Sequence, residues 1–247
     1  MGKLDGKFAV VTGGGQGIGQ AIVKQFLDDG ASGVAILDIS TALMEKTAEE
    51  LRKPGSEIIC VKCDISCEEQ VRKAIKTVVE KFGTIDILVN NAGITQDSMF
   101  HKMTQEQWDK VIKINLYGVF HMCRHVVPIM REKAYGKIIN IASISAYGNI
   151  GQANYSASKG ALISFTKTLS LESGPKNITV NCIAPGFIET EMYAAVPEAI
   201  IEKHISRIPL KRLGTPGEVA SVAAFLASEE ATFVTGQIMD VAGGGSL

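Results

Sequence analysis

Tyr155 and Lys159 stand four residues apart in a segment of helical period, so the phenol and the ammonium share one helix face, a turn from each other. A phenol ordinarily keeps its proton until about pH 10. A neighbouring ammonium stabilises the phenolate and brings that value down, which makes Tyr155 a proton donor and acceptor near neutrality. A tyrosine and a lysine at this spacing are common in helices and usually structural, so the pair gains meaning from its company. The run Lys137–Ala142 reads as a strand that delivers Ser143 at its carboxyl end, where open α/β sheets bind ligands. A hydroxyl there can hold a carbonyl or alkoxide oxygen beside the phenol. Asn115 falls within an apolar helical segment, where a polar amide is either a satisfied core residue or a link in a proton relay.

A second group of residues points to a dinucleotide. The first strand runs into Thr12-Gly13-Gly14-Gly15-Gln16-Gly17-Ile18-Gly19 and then directly into a helix. Glycines permit a tight turn and close approach to a pyrophosphate, and the helix start supplies oriented N–H groups and partial positive charge. A kinase-type phosphate loop is excluded because Gln20 and Ala21 occupy the places of its Lys and Ser/Thr. The second strand ends at Asp38, nineteen residues after Gly19. A carboxylate at that point accepts hydrogen bonds from ribose hydroxyls and repels a 2′-phosphate. Gln16 is neutral, and the first cation after Asp38 is Lys46. These residues predict NAD(H) rather than NADP(H), and the positive ring of oxidised nicotinamide would further favour the Tyr155 phenolate.

The elements that must hold these groups follow from hydrophobic period. Short apolar, largely β-branched runs at Phe8–Thr12, Val34–Leu37, Ile58–Cys63, Ile87–Asn90, Lys137–Ala142, Thr179–Ile183 and Gln237–Val241 alternate with helical stretches near 17–29, 42–52, 68–82, 105–131, 153–173 and 216–227. That alternation predicts an α/β protein, a Rossmann-type doubly wound parallel seven-stranded sheet with helices on both faces, in one domain over 1–247. The less regular stretch 186–208, with Pro197 and scattered apolar residues, is expected to form a lid over the carboxyl ends of the strands.

Composition narrows the function. The chain has 247 residues, 46% of them hydrophobic, with 25 basic and 26 acidic side chains. Near-neutral charge without a basic run speaks against nucleic acid or an anionic membrane as partner. The N-terminus has charges before any apolar run and Gly6 where a myristoylation signal needs Ser or Thr, so a cytoplasmic location is expected. Cys60 and Cys63 form a C-x-x-C with Cys67 nearby. In a strand, positions three apart face opposite sides, so these thiols cannot share an ion, and no metal site is expected. Cys123 and Cys182 are isolated, and five unframed cysteines fit a reducing compartment.

The glycine loop has the pattern T-G-x-x-x-G-x-G on Gly13, Gly17 and Gly19. Further marks are Cys63-Asp64-Ile65, Asn90-Asn91-Ala92-Gly93, the Asn115 segment, Gln152 through Lys159-Gly160, Pro185-Gly186-Phe187-Ile188-Glu189-Thr190 and Arg212-Leu213-Gly214. On these segments the sequence resembles the short-chain dehydrogenase/reductase family over nearly its whole length, and within it is most similar to bacterial 3-oxoacyl-(acyl-carrier-protein) reductases. The resemblance implies that Asn115, Ser143, Tyr155 and Lys159 are catalytic, with Lys159 also on the nicotinamide ribose. It implies that Asp64 and Ile65 flank the adenine, that Asn91, Ala92 and Gly93 line the cofactor, and that Ile188 and Thr190, after Pro185 and Gly186, hold the carboxamide. Ser145 and Gln152 are candidate substrate residues. Ser143 and Tyr155 are twelve residues apart, one fewer than is usual in the family, with Ser145 as the alternative serine.

The family reading implies reduction of a 3-oxoacyl thioester, a homotetramer built on the long helices near 105–131 and 153–173, and acyl carrier protein as a partner. Lys133, Lys137 and Lys176 would then be the basic groups near its dock. Such reductases generally use NADPH, against which Asp38 and Gln16 stand. A hydroxysteroid, bile-acid or small secondary-alcohol, diol or sugar dehydrogenase is the alternative within the family. A non-catalytic NAD-binding protein is the alternative outside it, and the retained Asn115, Ser143, Tyr155 and Lys159 speak against that.

Overall fold

The computed structural model describes residues 2–191 and 198–245. Seven strands form one sheet: β1 (Phe8–Thr12), β2 (Gly33–Asp38), β3 (Glu57–Lys62), β4 (Ile87–Asn90), β5 (Gly136–Ile141), β6 (Ile178–Pro185) and β7 (Ile238–Val241). Their order is β3-β2-β1-β4-β5-β6-β7 and every pairing is parallel. Each strand read from the sequence is present, with ends displaced by no more than two residues.

The strands read as continuous apolar runs because both faces are covered. Ala9 and Val11 pack into one core with Val34, Ile36, Ile87, Val89, Ile139 and Ile141, while the intervening Val10, Ala35, Leu37, Leu88 and Ile138 pack into the other. The first core is closed by Ile22, Val23 and Phe26 of α1 (Gly17–Asp28), Met44 of α2 (Thr41–Leu51) and Val219 and Ala223 of the last helix, Pro216–Ala227. The second is closed by α3 (Glu68–Phe82) and α5 (Gly118–Lys133), with Leu162 from α6 (Ala153–Ser173). Cys60 packs on the first core and Cys63 belongs to the second, so the two thiols lie on opposite sides of the sheet. The chain order reverses between β1 and β4, and the crevice at their carboxyl ends is where a doubly wound sheet takes its ligand.

Two helical readings need correction. The stretch expected as one helix is α4 (Gln105–Ile112), a π-turn over Lys113–Tyr117 and then α5. The widened turn surrounds Asn115, whose amide is held by two other segments of the chain. Within the expected irregular lid lies a helix, α7 (Glu198–Arg207), before the final helix α8 (Pro216–Ala227). Residues 192–197 of that lid, Pro197 included, are outside the described residues.

Candidate active site

The glycine loop is braced from β4. Thr12 is buried, and its hydroxyl accepts the backbone N–H of Asn91 and of Ala92 at 3.0 and 3.1 Å while donating to the Val89 carbonyl. Asn91 donates from Nδ2 to the carbonyls of Thr12 and Gly13 at 3.0 and 3.1 Å. Its amide therefore fixes the loop at the mouth of the cleft. Gly19 starts the buried face of α1 with no room for a side chain, since a Cβ there would lie 2.1 Å from the Gly13 carbonyl oxygen. Gly17 takes a φ of +56° and opens toward the opposite wall, where a Cβ would meet Thr190 and Glu191 only at 3.6 Å. No acidic residue occupies the first turn of α1, and Gln16 before it is exposed, so the acidic group that faces this positive helix end is Glu191 of the opposite wall. Ile18 packs against the first core behind the loop.

Asp38, at the end of β2, accepts the N–H of Ser40 on Oδ1 at 3.1 Å and that of Gly15 on Oδ2 at 3.4 Å. Its carboxylate is thereby held at the edge of the loop. Asp64 binds the Ser66 backbone and hydroxyl through Oδ1, and Ile65 is buried, pressed on the spot where a side chain at Gly118 would stand. Across the cleft, Gly186 donates its N–H to Val241 and has Ala242 against it, so the turn after Pro185 is tight. Ile188 is buried and bridges to Gly214.

Four side chains from three segments converge beyond the loop: Asn115 from the π-turn, Ser143 after β5, and Tyr155 and Lys159 from α6. A Cβ added to Gly93 would lie 3.3 Å from both Asn115 Oδ1 and Lys159 Nζ. Asn115 is fully buried; its Oδ1 accepts the N–H of Ile94 at 2.9 Å, and its Nδ2 donates to the Ile94 carbonyl and to Ser158 Oγ at 3.0 and 3.2 Å. Lys159 Nζ donates to the Ile141 carbonyl at 2.7 Å, at the end of β5, and lies 5.6 Å from the centre of the Tyr155 ring. Ser143, two residues beyond β5, lies near enough to the Tyr155 phenol to pull its proton affinity down. Ser145 sits in the following 3₁₀ turn (Ile144–Tyr147) with its N–H on Ser143 Oγ at 3.1 Å, and its own side chain is buried. The structure thus brings Ser143, not Ser145, to the phenol.

The electrostatics differ from the sequence-based expectation. Burial pushes the Tyr155 phenol above its ordinary value, with Ser143 pulling down and the Asp97 carboxylate pushing up. Burial also brings the Lys159 ammonium down to about 8. The expected depression of Tyr155 is absent because both groups sit in one desolvated cleft, where each resists being charged. The positive nicotinamide ring invoked in that expectation belongs to the bound cofactor.

Other contacts were invisible in the sequence. Asn154 is buried and donates to the carbonyls of Gln96 and Gln107 at 3.0 and 3.1 Å, tying the start of α6 to the loop after β4. Gln152, read as a substrate residue, donates from Nε2 to Asp97 Oδ2 and accepts from Asn149 Nδ2, both at 2.9 Å. Lys137 is 2% exposed and so is no docking group, whereas Lys133 is exposed and paired with the buried Asp86. Lys176 remains in the 3₁₀ turn after α6. No cluster of metal-binding side chains occurs among the described residues, and no described helix is long and apolar enough to cross a membrane.

A phosphate-cradling loop opposite a Ser–Tyr–Lys–Asn constellation on a doubly wound sheet defines the class: a dinucleotide-binding oxidoreductase fold. Residues 13–246 match the family model described as enoyl-(acyl carrier protein) reductase. The chain is 43% identical over 243 residues to the 3-oxoacyl-(acyl-carrier-protein) reductase FabG of Thermotoga maritima, covering 98% of each. It is 45% identical over 240 residues to an acetoacetyl-CoA reductase of Shinella zoogloeoides, covering 96% of this chain and 98% of that one. The crystal structure of levodione reductase superposes with a TM-score of 0.94 at 32% identity, covering 98% of both chains. The chain belongs to the short-chain dehydrogenase/reductase family.

Proposed function

We propose that the protein is an NAD(H)-dependent ketoreductase interconverting a 3-oxoacyl thioester and the corresponding 3-hydroxy compound. The observation that carries this reading is the meeting of Tyr155, Ser143, Lys159 and Asn115 beside Gly93, one strand from the glycine loop. The glycine loop at the start of α1 and the carboxylate of Asp38 fit a dinucleotide with an unphosphorylated ribose. When bound, the nicotinamide supplies the hydride that reaches the ketone carbon. Ser143 holds the ketone oxygen and Tyr155 gives it the phenolic proton, which solvent restores. Lys159 stabilises the transient phenolate, and Asn115 keeps the loop after β4 in register with α6. Full-length likeness to a 3-oxoacyl reductase and an acetoacetyl-CoA reductase supports the thioester.

The tetramer is carried as part of the proposal, supported by the exposed Tyr117, Phe120 and Leu171 on the π-turn, α5 and α6. The segment 186–208 is proposed as the lid, because Thr190 and Glu191 already lean toward Gly17. The likeness to levodione reductase keeps a second reading, a dehydrogenase for another ketone or secondary alcohol. A spectrophotometric screen with NADH and NADPH in parallel separates them, using acetoacetyl thioester against hydroxysteroids and short alcohols. NADH oxidation by the thioester is the expected result. Turnover confined to a steroid or simple alcohol favours the second reading, and cofactor binding without any turnover favours a non-catalytic protein.

A further inference from the structure

The two loops that flank Tyr155 are stapled to each other. Ser98 donates its N–H to the Gly151 carbonyl at 2.8 Å, Gln152 Nε2 donates to Asp97 Oδ2 at 2.9 Å, and Asn154 Nδ2 donates to the Gln96 carbonyl at 3.0 Å. Gln152 accepts from Asn149 with its remaining oxygen, so its amide is oriented by partners on both sides. These bonds hold Asp97 at the entrance to the helix whose third residue is Tyr155.

Asp97 is chemically isolated there. Within 91–100 and 143–152 it is the one side chain that carries a charge at neutral pH. The large exposed side chains on and beside the two loops are Met99, Phe100, Ile150 and Tyr147, the last with its phenol on Asp240 at 3.5 Å. Among the described residues no cation forms an ion pair with it, and its carboxylate is exposed. Its charge nevertheless reaches the phenol, raising Tyr155 together with burial.

We propose that Asp97, oriented by Gln152, is a specificity-determining residue that makes the cleft select ketones flanked by a neutral group, such as an ester or thioester, over keto acids with a free carboxylate. The inference rests on the ketoreductase reading above. In a 3-oxo acid the carboxylate is one methylene from the reacting carbonyl. With the ketone oxygen on Ser143 and Tyr155, that carboxylate cannot avoid the field of Asp97. An ester places no charge there, and its apolar remainder meets the Met99, Phe100 and Ile150 side. Repulsion between like charges in a partly wetted cleft, screened by the water that reaches the exposed Asp97, disfavours binding by roughly tenfold.

The test uses one ketone in two charge states, ethyl 3-oxobutanoate and 3-oxobutanoate, with NADH and the full-length protein. The wild type is expected to favour the ester by at least about tenfold in kcat/KM. Asp97→Asn keeps an oxygen for Gln152 and removes only the charge. It should shrink that ratio by roughly tenfold, through a lower KM for the acid. Gln152→Glu adds a carboxylate at the same place and should widen the ratio, which keeps the test decisive if Asp97→Asn melts early. A wild type that reduces acid and ester alike overturns the proposal. So does an unchanged ratio in Asp97→Asn, or an equal loss on both ketones, because a mere staple would give those results. If neither ketone is reduced, the ketoreductase reading itself fails and the inference falls with it.

Discussion

Replacing Lys159 by Met should alter the pH dependence of folding in a way set by one buried amine. The ammonium is 3% exposed, and burial lowers its pKa from the ordinary 10.5 to about 8. Between those values the unfolded chain still holds a proton that the folded protein has released. Stability therefore rises with pH across the window, and the penalty of burying the charge is present in full below it. Each pKa unit is ~1.4 kcal/mol, so a displacement from 10.5 to about 8 amounts to about 3 kcal/mol. Met also forfeits the bond from Nζ to the Ile141 carbonyl, leaving a buried oxygen short of a partner at a cost of about 1–3 kcal/mol. That second cost does not depend on pH. The quantity to measure is the difference between two stability curves, not either curve alone.

The comparison is best made as Tyr155→Phe against Tyr155→Phe/Lys159→Met, so that the adjacent phenol does not titrate in the same window. Urea unfolding at stepped pH from 7 to 10.5 supplies the free energies. Relative to the double variant, the lysine-bearing protein should gain about 3 kcal/mol across that range. Parallel curves would refute the reasoning. They would mean that water reaches Nζ, or that the bond to Ile141 keeps the ammonium as comfortable as in solvent.

Three further outcomes follow from the site. Tyr155→Phe should lower turnover by about 10²–10⁴-fold while leaving NADH binding, followed by fluorescence titration, nearly unchanged. Asp38→Ala with Ile39→Arg removes the carboxylate held against Gly15 and places a cation on an exposed neighbouring side chain. Since hydrogen bonds to charged groups are worth about 1.5–3 kcal/mol, the kcat/KM ratio for NADPH over NADH should rise by roughly ten- to a hundredfold; no change would remove Asp38 from the cofactor site. Gly19→Ala forces a methyl against the Gly13 carbonyl oxygen, a backbone contact that cannot rotate away. It should weaken NADH binding and destabilise the fold by about 1–3 kcal/mol, read by titration calorimetry and melting.

Much of the architecture was legible because its signals are local. The seven strands stand out as apolar runs because alternate residues such as Val10 and Val11 feed different cores, leaving no polar face to interrupt them. Gly13, Gly17 and Gly19 were readable because a strand, a glycine turn and a helix follow in direct succession. What escaped depends on partners distant in the chain. The π-turn at Asn115 answers to Ile94 and Ser158, which lie 21 and 43 residues away. Asn91 turns to Thr12 and Gly13 across nearly 80 positions. Lys137 is charged in sequence, yet it is buried beside the Tyr135 ring at the opposite end of its strand from Ser143. Likewise, helical spacing places Lys159 near Tyr155, but only the surrounding packing reveals that desolvation outweighs their attraction.

Helix α6 shows why that distant set is polar. Its buried face is Asn154, Ser158, Lys159, Leu162, Thr166, Ser170 and Ser173, a surface with a single aliphatic member. Apolar packing would hold α6 against the sheet but tolerate small rotations, since dispersion contacts are weakly directional. Hydrogen bonds are not so forgiving, because a misaligned buried donor costs about 1–3 kcal/mol. Asn90 donates to Asn140 Oδ1 at 2.8 Å, and Asn140 donates to Thr166 Oγ1 at 2.8 Å, carrying the register of β4 and β5 directly into the helix. Asn115 on Ser158 and Lys159 on Ile141 repeat the device about two turns nearer its start. The rotation of α6 is thus fixed by at least three directional contacts before any ligand arrives, and Tyr155 takes its aim at the cleft from that rotation.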